Sequence, residues 1–271
     1  MMKTENILLI VLKKVGNKEV RMKVAKILAF YFGNRRHYPY DKLGTMDLFK
    51  RQIEVHKKTD PGLDMDLIIV NHDTGDTEVL DFLNQYENDN VFSGKIRILN
   101  RPRISGDFSI GSYKYAFYLL KNEYDYWFFS EDDIEPLKSN IVKDMVDMLQ
   151  SDSKIGYVCA LNFKNYSIHH YEEVDGYIER THGWPPHAHG GVGLTSTKLM
   201  NEVTSGTNFF ITPNILKEKN ELIDENRINS SYENENHEEI HFSNIFHSHG
   251  YKLKSFSDGT NFLHIRENIT L

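Results

Sequence analysis

The feature that most constrains this chain is the alternation, through its first half, of short apolar strands with stretches of helical period. Ile7 to Leu12 is a continuous apolar run, and Leu67 to Val70, Lys95 to Leu99, Tyr126 to Phe129 and Ile155 to Leu161 are four more strand-like segments. A strand covered on both faces reads as such a run. Between the first two, Val20, Val24, Ile27 and Tyr31 recur at helical spacing, and Met46, Phe49 and Ile53 do so again before Pro61 and Gly62. Two helices are therefore expected after the first strand. Val79, Leu80, Leu83 and Tyr86 mark the next helix, and Ile110, Tyr113, Phe117 and Leu120 another. Ile141, Val142, Met145, Val146 and Leu149 form the apolar face of a further one, with Ser139 placed to cap it. Strands alternating with helices build β-α-β units, so the expected class is α/β with a mostly parallel, Rossmann-like sheet flanked by helices.

With 271 residues the chain can bury a sizeable core. No internal repeat or linker divides it. One domain over 1-271 is expected, with about 1-165 as a first half and about 166-271 as an elaborated second half. Its one cysteine, Cys159, cannot form an internal disulfide, so a reduced, cytoplasmic setting is expected. The early apolar run is too short to span a bilayer, so no transmembrane segment is expected. A net charge of −7 argues against general binding to nucleic acid. Of 13 histidines, 10 lie at or beyond His169, beside the glycine-rich stretch that runs from His182 to Gly193.

Ligands of parallel sheets bind outside the carboxyl ends of the strands. That rule points to the residues after each strand, and above all to Glu131, Asp132 and Asp133, which follow the aromatic strand Trp127, Phe128 and Phe129. Chance alone yields roughly one triple-acid window in a chain of this composition, so position is the informative part. Three adjacent carboxylates repel unless a cation neutralises them, and a hard divalent ion, Mn²⁺ or Mg²⁺, held by one or two carboxylates and substrate phosphates would do so. A solvated acidic turn is the alternative.

The segment from Phe128 to Pro136 resembles the DxD-type metal and nucleotide-sugar motif of GT-A fold glycosyltransferases, in the Glu-Asp-Asp form of N-acetylglucosaminyltransferase I and its relatives. Upstream, Tyr113, Lys114, Tyr115 and Ala116 are similar to a helix whose basic residue contacts the nucleotide diphosphate in those enzymes, with lysine here in place of arginine. Leu67 to Asp76 resembles the second strand and loop of family-2-like transferases, which implies that Asp73 holds the base or ribose. Gly190 to Ser196 resembles the glycine-rich acceptor-side segment. His237 to Ser243 is similar to the helix whose second acid is the catalytic base, here Glu239, with Glu238 as the other choice.

The resemblance implies a metal-dependent transfer of a sugar from a nucleotide-diphosphate donor, a UDP- or GDP-sugar, to a hydroxyl of a glycan or glycolipid acceptor. Asp133 and His264 would hold the metal, with His247 and His249 as competitors to His264. Glu131, Asp132, Asp73, Arg103 and Lys114 would bind the nucleotide-sugar, and Arg101 lies beside Arg103. Trp184, His189, Gly190 and Gly191 would line the acceptor side, with His187 nearby. An acceptor carried on a lipid would be met at the membrane surface. A metal-dependent nucleotidyltransferase, a metallohydrolase built on the late histidines and a non-catalytic sugar-binding protein of the same fold remain open alternatives.

Overall fold

A computed structural model describes residues 14–15, 18–19, 21–32, 42–72, 75–101, 109–162, 170–181, 183, 185–205, 233–256, 260–265 and 269–270. The apolar run Ile7 to Leu12 lies outside them. A small hairpin comes first, β1 (Lys14–Val15) and β2 (Lys18–Glu19). It is followed by β3 (Lys23–Phe30), α1 (Lys42–Lys58), β4 (Asp64–Asn71), α2 (Thr77–Asn84), β5 (Ile96–Asn100), α3 (Ser109–Leu120), β6 (Tyr126–Glu131), β7 (Ile134–Pro136), α4 (Ile141–Ser151) and β8 (Ile155–Cys159). The second half adds β9 (Tyr171–Val174), β10 (Tyr177–Thr181), a 3-10 turn over His189–Gly191, β11 (Gly193–Ser196), α5 (Thr197–Thr204), α6 (Glu233–Ser248), β12 (Lys252–Ser255), β13 (Phe262–His264) and β14 (Ile269–Thr270).

The chain is α/β, and its main sheet is mixed rather than mostly parallel. Nine strands run in the order β5-β4-β3-β6-β11-β8-β12-β10-β9. The block β5-β4-β3-β6 is parallel throughout. Beyond it, β11 runs antiparallel to both β6 and β8, β12 is parallel to β8, and β10 and β9 are antiparallel additions. The three crossovers through α1, α2 and α3 enforce the parallel block. In the second half, the tight turn between Val174 and Tyr177 joins β9 and β10 as an antiparallel hairpin.

Two sequence expectations are corrected. Val24 and Ile27 belong to strand β3, not to a helix, because Lys23–Phe30 hydrogen-bonds to β4 on one side and β6 on the other. Among the described residues only α1 lies between β3 and β4. Asn140, rather than Ser139, occupies the N-cap of α4. Its backbone is left-handed (φ +65°), its amide donates to the Asp60 carbonyl at 2.7 Å and its carbonyl accepts from Asp144.

Helices cover both faces of the sheet. Tyr113 and Phe117 of α3, Met200 of α5, and Phe242 and Phe246 of α6 pack with Trp127, Phe129 and Tyr157 on one face. On the other, α4 places Val142, Met145 and Val146 against Phe128, Val158 and Leu194, while Phe49 and Ile53 of α1 and Val79 and Leu83 of α2 meet Leu28, Phe30, Leu67 and Ile69. The alternation along β6 carries this division: Trp127 and Phe129 point one way, Phe128 the other. Each such buried side chain contributes about 1.5–3 kcal/mol. The sheet's parallel strands end level, with Phe30 opposite Asn71, Asn71 opposite Asn100, and Ala29 opposite Glu131.

Candidate functional site

The chain steps from β3 outward to β4 and β5 and then returns to β6 on the other side of β3, so the strand order switches between β3 and β6, the place where α/β sheets bind ligands at their carboxyl ends. Glu131 is the last residue of β6, and Asp132 and Asp133 form the turn into β7. Asp132 and Asp133 are buried, while Glu131 is partly exposed. The acidic triplet therefore sits at the mouth of the sheet.

The start of α3 and the glycine turn meet at Glu131, and β8 supports the turn. Ser109, at the start of α3, donates to Glu131 Oε1 at 3.2 Å. Gly190 abuts the same carboxylate so closely that a Cβ there would stand 3.1 Å from it. The buried Tyr113 hydroxyl donates to the Gly190 carbonyl at 3.3 Å, and the buried Tyr157 hydroxyl of β8 donates to the Gly191 carbonyl at 2.6 Å. Burial pushes the Tyr113 phenol well above the usual tyrosine range, and the charge of Glu131, the neighbouring Tyr157 and the charge of Glu239 add to this. Tyr113 therefore stays a neutral donor while carboxylates on β6 and on α6 act on it together.

α6 is tied to the glycine turn. Ser243 accepts from the Ala188 amide at 2.9 Å, and Glu239 lies one helical turn earlier on the same face. Glu239 Oε2 is 3.9 Å from His189 Nδ1, with both side chains mostly buried. From the end of β8, the buried Asn162 donates to the His187 carbonyl at 2.8 Å and accepts from the His189 amide at 3.2 Å. His187 itself is spent on structure: its Nδ1 bonds the Pro185 carbonyl and its carbonyl accepts from Thr181.

On the far side of the triplet, β7 pairs antiparallel with β13. His264 stands opposite Ile134, and the Ile265 amide donates to the Asp133 carbonyl at 2.9 Å. The main chain at His264 is thus alongside the residue that follows Asp133.

The structure brings together Glu131, His189, Gly190, Gly191 and Glu239, with Asp132 and Asp133 continuing from Glu131. Lys114 is half-buried on α3, next to Tyr113. Asp73, Arg103 and Trp184 lie outside the described residues, and Glu238 and His264 are described by their main chain alone. Arg101 is buried, and its amide donates to the Asn71 carbonyl at 3.0 Å. Asn71 in turn donates from Nδ2 to Asn100. The strand-end rule reaches Ser109, at the close of the stretch from Arg101, but sequence reading missed Tyr157, Asn162 and Ser243 as site residues. Asn162 directly follows the fifth strand segment, so the strand-end rule could have found it. It also missed the hydrogen bond between His72, after β4, and Ser112 of α3, which ties the neighbouring strand end to that helix.

Among the described residues, no three His, Cys, Asp or Glu side chains are grouped to hold a metal ion, and no helix is long and apolar enough to cross a membrane. Compared with known proteins, the chain matches no protein-family model and no curated sequence at a significant level.

Proposed function

We propose that this chain is a metal-dependent glycosyltransferase of the GT-A kind, moving a sugar from a nucleotide-diphosphate donor to a hydroxyl of a glycan or glycolipid acceptor. The observation that carries the reading is the convergence of Glu131, at the end of β6, with Glu239 of α6 around Tyr113 and the Gly190 turn. Two acids far apart in sequence thereby face one crevice at the switch point of the parallel strands, where α/β sheets take nucleotides.

The residues present fit a divalent cation. Asp132 and Asp133 offer hard carboxylate oxygens from a buried position, the donor type Mn²⁺ and Mg²⁺ take when substrate phosphates complete their coordination. Such a site needs only one or two protein carboxylates. Asp133 is assigned as the main ligand, with His264 beside it along the β7 and β13 ladder. When bound, the metal neutralises charge that develops on the departing diphosphate.

The remaining roles belong to the chain's own side chains. Glu131, fixed by Ser109, accepts hydrogen bonds from hydroxyls of the donor sugar. Glu239 takes the proton from the acceptor hydroxyl as that oxygen attacks the anomeric carbon from the face opposite the leaving group, which gives inversion. The bond from the anomeric carbon to the diphosphate oxygen breaks with its electron pair leaving on the diphosphate. The turn from His189 to Gly191 forms the acceptor wall, and the lack of a side chain at Gly190 lets its backbone pack directly against the Glu131 carboxylate.

A thermal-shift panel of nucleotide sugars, with and without Mn²⁺, tests this reading. A ligand at 100 times its Kd adds about 2.7 kcal/mol of apparent stability. A metal-dependent shift with at least one UDP- or GDP-sugar is expected. No shift with any donor, with or without Mn²⁺, would contradict the proposal.

A further inference from the structure

We propose that Ser243, Tyr113 and Tyr157 are positioning residues that hold His189 against Glu239, so that the imidazole tunes the carboxylate assigned as the base. The proposal deepens the glycosyl-transfer reading and rests on it for the word base. The pairing itself stands on geometry.

The turn from His187 to Gly191 is gripped from four directions. Asn162 holds both the His187 carbonyl and the His189 amide. Tyr113 of α3 and Tyr157 of β8, neighbours in one core cluster, hold the carbonyls of Gly190 and Gly191, two consecutive residues in the left-handed region at φ +61° and +64°. Ser243 holds the Ala188 amide from α6. A peptide fixed at 188, 189, 190 and 191 leaves the His189 side chain few directions. Because Ser243 and Glu239 are four residues apart on α6, the bond that anchors Ala188 to Ser243 sets its neighbour His189 in register with Glu239, at 3.9 Å.

At that distance, with side chains 30% and 17% exposed, each charge favours the ionised form of the other. Among the described residues, the titratable groups near the pair include Glu131 from β6, Tyr113 from α3, Tyr157 from β8 and, two residues along α6, His241. Burial holds Tyr113 and Tyr157 neutral and lowers the His241 pKa, and Glu131 is the carboxylate in this set. The arrangement makes His189 the partner through which the protein sets the pH at which Glu239 is available to accept a proton.

The full chain with labelled histidines tests this by NMR titration of the His189 imidazole, with no donor, metal or turnover involved. Glu239→Gln is expected to lower the His189 midpoint by about half a pH unit or more. Ser243→Ala and Tyr157→Phe, each verified as folded by circular dichroism, are expected to lower it toward the same value, and Ser243→Thr to restore it. An unchanged midpoint in Glu239→Gln, or wild-type midpoints in both Ser243→Ala and Tyr157→Phe, overturns the proposal. Because the readout is ligand-free, it stands whether or not sugar transfer is found. With a donor in hand, Ser243→Ala is expected to displace the acid limb of the pH-rate profile while the donor KM stays within about twofold. An unmoved acid limb would contradict the tuning role.

Discussion

Gly190 lies directly against the Glu131 carboxylate: a Cβ on that glycine would stand 3.1 Å from both Cδ and Oε2, and its backbone is left-handed at φ +61°. Gly190→Ala therefore combines a backbone cost of about 1–2 kcal/mol with displacement of Glu131. Gly176 is the matched control, because its φ is +80° and a Cβ there would meet nothing within 4 Å. Both variants are expected to lose stability in urea denaturation, Gly190→Ala by at least as much as Gly176→Ala. Only Gly190→Ala is expected to lose donor-dependent stabilisation, and equal donor effects in the two would contradict the contact's role.

Behind the triplet, α1 clamps β7. Arg51 makes a two-pronged ion pair with the buried Glu135, Nε to Oε1 at 2.5 Å and Nη2 to Oε2 at 2.8 Å, while Gln52 Nε2 donates to the Ile134 carbonyl at 3.4 Å. Removing one partner of a buried pair costs about 3–5 kcal/mol, and Arg51 is half exposed, so Arg51→Ala is expected near or below the lower end. Arg51→Lys keeps the charge but not the fork, so its loss falls between wild type and alanine. Chemical denaturation of the three proteins checks the order.

Lys26 of β3 is fully buried, with Nζ over the Phe128 ring at 4.9 Å. Burial lowers its pKa from 10.5 to about 7, with Glu135 opposing. The same burial, and then the Lys26 charge, push His56 of α1 well below the usual histidine range. Between about pH 7 and 10.5 the unfolded chain holds a proton on Lys26 that the folded chain has released, so this group's contribution to stability rises with pH and is lost as pH falls toward 7. Lys26→Met is expected to remove up to about 1 kcal/mol per pH unit of that slope and to be at least as stable as wild type at pH 7. Urea midpoints across pH 7 to 10 measure it. A slope unchanged by the substitution would contradict the assignment.

The same lysine explains the largest misreading of the sequence. A doubly covered parallel strand announces itself as an unbroken apolar run, and Lys26 interrupts the run from Val24 to Phe30. What remains, Val20, Val24, Ile27 and Tyr31, has helical spacing, and only pairing with β4 and β6 decides otherwise. The strands β4, β6 and β8 were legible because Leu67 to Val70, Trp127 to Phe129 and Ile155 to Cys159 hold no charged side chain, and β5 because Arg97 alternates with Ile96 and Ile98. The short antiparallel pair was not, since β7 and β13 are three residues each and exist through their partner, not through local preference. The acidic triplet was legible by its position after an aromatic strand. The grip on the glycine turn was not, because Ser243, Asn162 and Tyr157 are ordinary core-facing residues until the fold brings them to one turn.

Sugar transfer itself is tested most directly by the release of nucleoside diphosphate from the donor that gives the metal-dependent shift, in the presence of an acceptor, for wild type, Asp133→Asn and Glu239→Gln. The account predicts turnover that needs Mn²⁺ or Mg²⁺ and stops with chelator. It predicts loss of both donor binding and turnover in Asp133→Asn, and a fall in kcat of about 10²–10⁴-fold with donor binding retained in Glu239→Gln. Full turnover in chelator, or Glu239→Gln turning over at the wild-type rate, would contradict it.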